Sequence, residues 1–552
     1  MKRMIPVAGV IVVAILVGLG ALVLARRQIQ QGAASVPPGA PRLQPAEAGQ
    51  PTIRCNSEVT GEREEIFSTA LFMPQWVGTA HDDIAWETGY LDETAKALRS
   101  YFRDVSSPTL PRPYLRFGHQ PTDGYIDSSG ALRTGYHWKE ALSGGQWSID
   151  DYMAYVYKVE ASPQVVVNFG TADAADAADL VAYSNGTDPD DPMVGLRRQR
   201  GHIEPYSVEV WEIGNEQYGH WEAGFYSYPD GSIGSRDPDA YIRRVNEFAT
   251  KMRARSPSPI KLYAPLTNWE LNSYPDAALR SIIANTAGNL DGYTIHYYPL
   301  PADGGAPEMW AGMSHLLGEK LKVLKQTIQE STSKPMEIAI TEWAGSAFPT
   351  HMGRNWLTGL LMVDSYIAQA EQGISIANYF ASATPRGVPG GYSFWLDGDP
   401  SRPAPTLTAA RETARHLGPQ LLETFLVGAP TAKSRSYIGE EFDFPVLSAL
   451  CSEGLEGKNL VLVNRSLSPQ VANIEIGFPV DGTIRITTLG ATPQAESVGV
   501  RCSRYEAAQE FSIELAPFSA TLLALGSGRD GIGALACGTG VEISQDLRTP
   551  VG

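Results

Sequence analysis

From about Phe67 to Ala383, short β-branched and apolar runs alternate with segments of helical period, which is the pattern of successive strand–helix units on a parallel sheet. The runs predict strands at Ala70–Val77, Tyr114–Gly118, Val165–Gly170, Val208–Gly214, Leu262–Leu266, Tyr293–Tyr297, Glu337–Glu342 and Ile374–Ala381. Between them, Leu91, Ala95, Leu98 and Phe102 form one apolar helical stripe, and Leu317, Leu321, Leu324 and Ile328 form another. Asp237-Pro238 offers an N-cap and a first-turn proline ahead of Tyr241, Val245, Phe248 and Met252. Repeated in this way, the units predict an α/β fold, a (β/α)₈ TIM barrel.

Beyond Pro403, after one further helical stretch, the period changes to two: Val471, Asn473 and Glu475 alternate with Ala472, Ile474 and Ile476. Further strands are expected at Leu460–Asn464, Thr483–Thr487, Phe511–Leu515 and Thr521–Leu525, giving a C-terminal antiparallel β-sandwich. At the other end, Met4–Ala25 carries no charge and is flanked by Lys2-Arg3 and Arg26-Arg27. It is long enough to span a bilayer, which takes ~20 apolar residues, and longer than a usual signal-peptide core, so a transmembrane helix is favoured over a cleaved signal. The expected order is an anchor or signal over 1–27, a flexible linker over 28–50, the barrel over 51–402, the sandwich over 403–526 and a Gly-rich, disordered tail over 527–552. The catalytic mass would lie outside the cytoplasm, held to the membrane by the N-terminal helix or secreted after cleavage.

A formal charge of −17 over 552 residues argues against nucleic acid as a partner, since phosphate neutralisation needs a basic face. A neutral or weakly charged substrate fits better. Cys55, Cys451, Cys502 and Cys537 have no C-x-x-C spacing, so they signal neither zinc nor thioredoxin chemistry. Of their three possible pairings, Cys451 with Cys502 is favoured because both fall in the C-terminal β region. No nucleotide loop and no HExxH motif is present, so neither metal nor cofactor is expected.

In a β/α barrel the reacting groups sit where strands end, at the C-terminal rim. Two carboxylates are expected there: Glu216, in Val210-Trp211-Glu212-Ile213-Gly214-Asn215-Glu216 after the fourth strand, and Glu342, in Ile338-Ala339-Ile340-Thr341-Glu342-Trp343 on the seventh. Glycosidic bonds are cleaved by such a pair, one carboxyl protonating the leaving oxygen and the other attacking the anomeric carbon or activating water. An amide such as Asn215 can hydrogen-bond the sugar 2-OH.

The Gly214-Asn215-Glu216 and strand-seven Glu342 motifs resemble clan A glycoside hydrolases. Further stretches resemble glycoside hydrolase family 51, the α-L-arabinofuranosidases: Leu115-Arg116-Phe117, Val167–Ala172, Tyr183–Gly186, Glu204-Pro205-Tyr206, His296-Tyr297-Tyr298 and, near the end, Leu515-Ala516-Pro517-Phe518-Ser519. The resemblance implies a retaining enzyme acting on a carbohydrate, with Glu216 as acid/base, Glu342 as nucleophile and Asn215 as the 2-OH partner. Arg116 would support the nucleophile and the substrate network, and His296 and Tyr298 would lie around the carboxylates. Two stretches depart from the family. Its first-strand glutamate, which holds the arabinofuranose ring, is missing from Phe72-Met73-Pro74-Gln75-Trp76-Val77-Gly78, and Gly118-His119-Gln120-Pro121-Thr122-Asp123 replaces a Pro-Gly-Gly-Asn-like turn. The sugar therefore stays open: a clan A xylosidase, glucuronidase or endo-acting enzyme is the alternative, and a noncatalytic cell-surface carbohydrate-binding homologue is the rival from another class. The sequence leaves the oligomeric state unknown.

Overall fold

The structure is a computed structural model. It describes residues 41–525 apart from 72–89, 127–130, 145–146, 224–236, 301–306, 347–353, 385–392, 437, 455–456 and 481. The anchor segment Met4–Ala25 and the tail beyond 525 lie outside the described residues. Among those that are described, no helix is long and apolar enough to cross a membrane.

Eight parallel strands close into a barrel: β1 (Glu65–Leu71), β2 (Tyr114–Phe117), β3 (Ser162–Val167), β4 (Val210–Ile213), β5 (Lys261–Pro265), β6 (Gly292–Tyr297), β7 (Glu337–Trp343) and β8 (Ile376–Ala383). Each is followed by a coating helix, from Tyr90–Val105 after β1 to Pro405–His416 after β8. The stripes form as the sequence indicates: Leu98 and Phe102 on one helix, and Leu317, Leu321 and Leu324 on another, are buried. Asp237 caps its helix by accepting from the Ala240 N–H, with Pro238 in the first turn.

The first strand differs from the expectation at Ala70–Val77. It begins at Glu65 and ends at Leu71, and Phe72 onward lies outside the described residues. The charged Arg63 and Glu65 are both buried at the strand's start.

The second unit, where the sandwich was expected, is a ten-stranded, largely antiparallel sheet whose inward residues share one apolar core. Its expected C-terminal strands are present, as Gly457–Asn464, Gln470–Ile476, Thr483–Gly490, Glu510–Leu515 and Ser519–Leu525. It does not begin at 403. Thr52–Glu62 joins it, antiparallel to Gln420–Val427 and parallel to Gln470–Ile476, and Leu43–Gln44 pairs with Glu510–Leu515. The stretch expected to be linker thus contributes a strand at its end. Pro405–His416, in turn, packs on Trp356–Glu371 and Tyr90–Val105, as the eighth helix of the barrel. The sandwich is threaded from both ends of the chain around the barrel.

The disulfide follows from this threading. It joins Cys55 to Cys451, with Cα atoms 5.9 Å apart, rather than Cys451 to Cys502. Three strands separate Leu447–Gly454 from Gly499–Glu506 in the sheet order, so Cys451 and Cys502 do not lie on neighbouring strands. Cys55 and Cys451 instead flank the Gln420–Val427 strand that the two halves of the sheet share.

Trp356–Glu371 is where the two units meet, and it is buried from Trp356 through Ala370, as a helix with core on both sides must be. Its first free N–H groups are met by sandwich carbonyls, Trp356 by Ala495 and Leu357 by Pro493.

Candidate active site

Arg116 on β2 is fully buried in the barrel, and a buried guanidinium is tolerable only when paired. It donates to both oxygens of Glu212 on β4 (Nε 2.6 Å, Nη2 3.0 Å), to Glu342 on β7 (Nη1, 2.7 Å) and to the Asn215 Oδ1 (Nη2, 2.9 Å). Gln164 on β3 donates to Glu212 at 2.8 Å. Burial opposes the Arg116 charge, but Glu212 and Glu342 outweigh it and hold the guanidinium above its ordinary value. One cation thereby ties three strands to the rim.

The turn after β4 explains the Gly-Asn-Glu spelling. Gly214 sits at φ +86°, where a Cβ would also run into the Gln217 side chain, and Glu216 itself is left-handed at φ +43°. Such backbone persists only where its surroundings fix it. Asp123 does the fixing: it accepts from the backbone N–H groups of Asn215, Phe169 and Gly170 and from the Gln217 amide. Burial pushes the Asp123 carboxyl up to about 7 against these four donors.

Held in this turn, Glu216 receives Trp221 Nε1 at 2.6 Å and Tyr218 OH at 3.2 Å, and meets His296 Nδ1 at 2.8 Å. Burial acts to raise its carboxyl, while the charge and hydrogen bond of His296, with the hydrogen bonds of Trp221 and Tyr218, bring it net below the usual carboxylate value. Across the mouth, Glu342 accepts Arg116 on one oxygen and Tyr298 OH, at 2.8 Å, on the other. His296 Nδ1 stands 3.5 Å from Glu342, and its Nε2 meets Thr341 Oγ1 at 3.2 Å.

One ligand atom each of Glu216, His296 and Glu342 fall within 4.8 Å of one another. That grouping could hold a metal ion by spacing. Arg116, 2.7 Å from Glu342, would oppose a second cation there, so paired-carboxylate chemistry fits these residues better.

The structure therefore brings together all six residues singled out in the sequence: Glu216, Glu342, Asn215, Arg116, His296 and Tyr298. It adds others that sequence reasoning missed. Glu212 had a readable signal, a lone carboxylate within the wholly buried Val210–Ile213 strand, which must find a partner inside. Asp123, at the end of the short helix Gln120–Asp123, and the loop residues Tyr218, Trp221 and Glu222 had none, because only the fold reveals their course. The stretch 72–78, where a first-strand glutamate was missing, lies outside the described residues.

A family model described as Alpha-L-arabinofuranosidase 1 domain matches residues 126–299. A probable α-L-arabinofuranosidase C from Aspergillus niger is 26% identical over 223 residues, which cover 38% of this chain and 41% of that protein. The match thus spans less than half the length of that curated relative. A thermostable family 51 α-L-arabinofuranosidase from Thermotoga petrophila superposes with a TM-score of 0.66 at 17% identity, covering 86% of this chain and 99% of its own. A family 51 α-L-arabinofuranosidase from Bifidobacterium longum gives 0.66 at 17%, covering 87% and 100%. In the sequence of its central third the chain is similar to α-L-arabinofuranosidases, and it shares the fold of the family 51 enzymes of clan A.

Proposed function

We propose that the protein is a retaining glycoside hydrolase of α-L-arabinofuranosidase type, in which Glu342 is the nucleophile and Glu216 the acid/base. The observation that carries this reading is the approach of two carboxyls from β4 and β7, their nearest ligand atoms within 4.8 Å with His296 between them. Retaining enzymes hold their carboxyls ~5–5.5 Å apart, whereas inverting ones leave ~6.5–9.5 Å for a water. The hydrogen bonds support the division of roles. Arg116 and Tyr298 grip separate oxygens of Glu342 and aim it for attack, while Glu216 sits among groups that exchange protons or hydrogen bonds. In glycosylation Glu216 gives its proton to the leaving oxygen as Glu342 bonds to the anomeric carbon; in the second step water bonds to that carbon, giving a proton to Glu216, as the bond to Glu342 breaks.

A screen of aryl glycosides against the 41–552 fragment, with the product anomer followed by NMR, tests the reading. The expected result is first release of sugar with retained configuration. Release of the inverted anomer would overturn the double displacement. With the usual first-strand glutamate replaced near Pro74-Gln75, aryl α-L-arabinofuranoside is expected to be turned over more slowly than is usual for family 51 enzymes, or the preference to be shifted to another pentoside or a hexoside. An arabinofuranoside turned over faster than every alternative would remove that shift.

The Met4–Ala25 run supports an anchor that places the enzyme on the outer side of a membrane. Fractionation with membranes, together with cleavage by protease added outside the cell, is expected. Full-length chain recovered in the soluble fraction would contradict it.

A further inference from the structure

Beside the two reacting carboxylates lies a third glutamate for which the displacement scheme has no use. Glu222 is fully buried. Its Oε1 accepts from Asn215 Nδ2 at 2.9 Å, and its Oε2 is buried with no hydrogen-bond partner among the described residues. The other end of the same amide, Asn215 Oδ1, accepts from Arg116 Nη2 at 2.9 Å. The Asn215 amide is thus clamped at both ends. Turned over, it would set its NH₂ against a guanidinium N–H and lose the Nδ2–H bond to Glu222 Oε1. Glu222 engages one Nδ2 hydrogen, and the other has no acceptor among the described residues.

Resting on the retaining-hydrolase reading, we propose that Glu222 is a positioning residue: it locks the Asn215 amide so that its second Nδ2 hydrogen meets the sugar hydroxyl adjacent to the anomeric carbon. That contact strengthens as positive charge develops on the ring, so the lock acts in the transition state more than on the bound substrate. The surroundings of Glu222 favour its neutral form. Burial, joined by the negative charges of Asp123, Glu216 and Glu342, raises its carboxyl well above the ordinary value, and the cation nearest the network, Arg116, is taken up by Glu212, Glu342 and Asn215. A neutral acid and a primary amide are close isosteres, which sets the test apart from that of a residue that must ionise.

The experiment compares wild type, Glu222→Gln and Glu222→Ala on the aryl glycoside that wild type hydrolyses and on its 2-deoxy analogue. Glu222→Ala is expected to lower kcat by about 10–100-fold with little change in KM on the parent glycoside, and by less than about threefold on the 2-deoxy analogue. Glu222→Gln is expected to restore kcat to within about threefold of wild type with the same pH profile. Should the alanine variant not fold, Glu222→Asp, one methylene too short to reach the amide, takes its place with the same expectation. Equal losses on both substrates, or a Glu222→Gln variant as impaired as the alanine, would overturn the lock while leaving the hydrolase reading intact. Failure of wild type on every aryl glycoside would instead overturn the hydrolase reading itself.

Discussion

Two buried arginines organise this molecule, and they do so to opposite ends. Arg465, at the seam between the sandwich and helix Trp356–Glu371, makes a bidentate pair with Asp364 (2.8 Å for each bond), and its remaining Nη1 goes to the Pro445 carbonyl at 2.9 Å. Ser448 also donates to Asp364, so the set is closed within the seam. Arg116, at the barrel mouth, is shared among Glu212, Glu342 and Asn215, and each of these has a further partner: Gln164, Tyr298 and Glu222 respectively. A closed ion pair fixes an orientation and does nothing else. An open one hands geometry and charge onward to groups at the pocket, and this is what separates a joint from an active site.

The largest expected effect tests whether the mouth is reactive. Replacing Glu342 with Ala should lower turnover by something on the order of a million-fold, the scale of losing a nucleophile. External azide should restore activity with inverted configuration. Glu216→Ala should instead spare glycosylation from dinitrophenyl glycosides, whose leaving group needs no proton, and azide should then yield the retained glycosyl azide. The reverse pairing of products would exchange the two roles.

Next in size is the direct contrast of the two arginines. Truncating one partner of a buried pair typically costs about 3–5 kcal/mol, so Arg116→Met and Arg465→Met should destabilise by similar amounts in denaturant titrations. Their kinetics should part. Folded Arg465→Met should keep kcat/KM within about twofold, whereas Arg116→Met should lose about 10²–10³-fold or more, the scale of removing one preorganised donor. Adding Asp364→Leu to Arg465→Met should recover most of the lost stability, because a closed pair can be replaced by apolar packing. Similar kinetic losses in both single variants would erase the distinction drawn between joint and site.

How much of each region was legible in the sequence follows the same division. The barrel was readable because each strand–helix unit declares itself locally, as in Asp237-Pro238 with its cap and apolar stripe. Glu216 and Glu342 were readable because strand ends mark the rim. The seam was not. Thr52–Glu62 finds its partners in Gln420–Val427 and Gln470–Ile476, across the whole barrel, and no local pattern encodes that pairing. Cys451 was therefore paired with Cys502 within the C-terminal β region, whereas its partner is Cys55. At the mouth, Asp123 and Glu222 escaped for a related reason: a carboxylate in a polar stretch of sequence looks solvated until the fold buries it.

A third, smaller effect probes the seam alone. The Cys55–Cys451 bond closes a loop with a sequence separation of 396 residues, which contains the entire barrel. Replacing both cysteines by Ser should cost about 2–4 kcal/mol in equilibrium unfolding and leave the kcat of the folded enzyme unchanged. A fall in kcat without loss of stability would mean that the sandwich shapes the pocket.

The smallest expected effect is a displacement of the pH profile, and it tests how charge is handed across the mouth. Glu216 must be protonated to donate to the leaving oxygen, so the alkaline limb of kcat/KM follows its ionisation in the free enzyme. Burial alone would raise that carboxyl, yet His296, together with the bonds from Trp221 and Tyr218, brings it below the usual carboxylate value. The wild-type alkaline limb is therefore expected at acid pH. His296→Asn keeps an N–H donor near the place of Nδ1 but removes the cation, so burial gains weight and the limb should move to higher pH. Stability must move with it. A carboxyl held low in the folded state contributes stability that is present above its unfolded value and lost as pH falls through the folded one. In His296→Asn that acid-side loss should shrink, and the contribution above the unfolded value should diminish. The same variant in the Arg465→Met background should shift the limb equally, since the seam passes no charge to the mouth. A limb that stays put or moves toward acid in His296→Asn would show that the hydrogen bonds of Trp221 and Tyr218 set the Glu216 ionisation without His296.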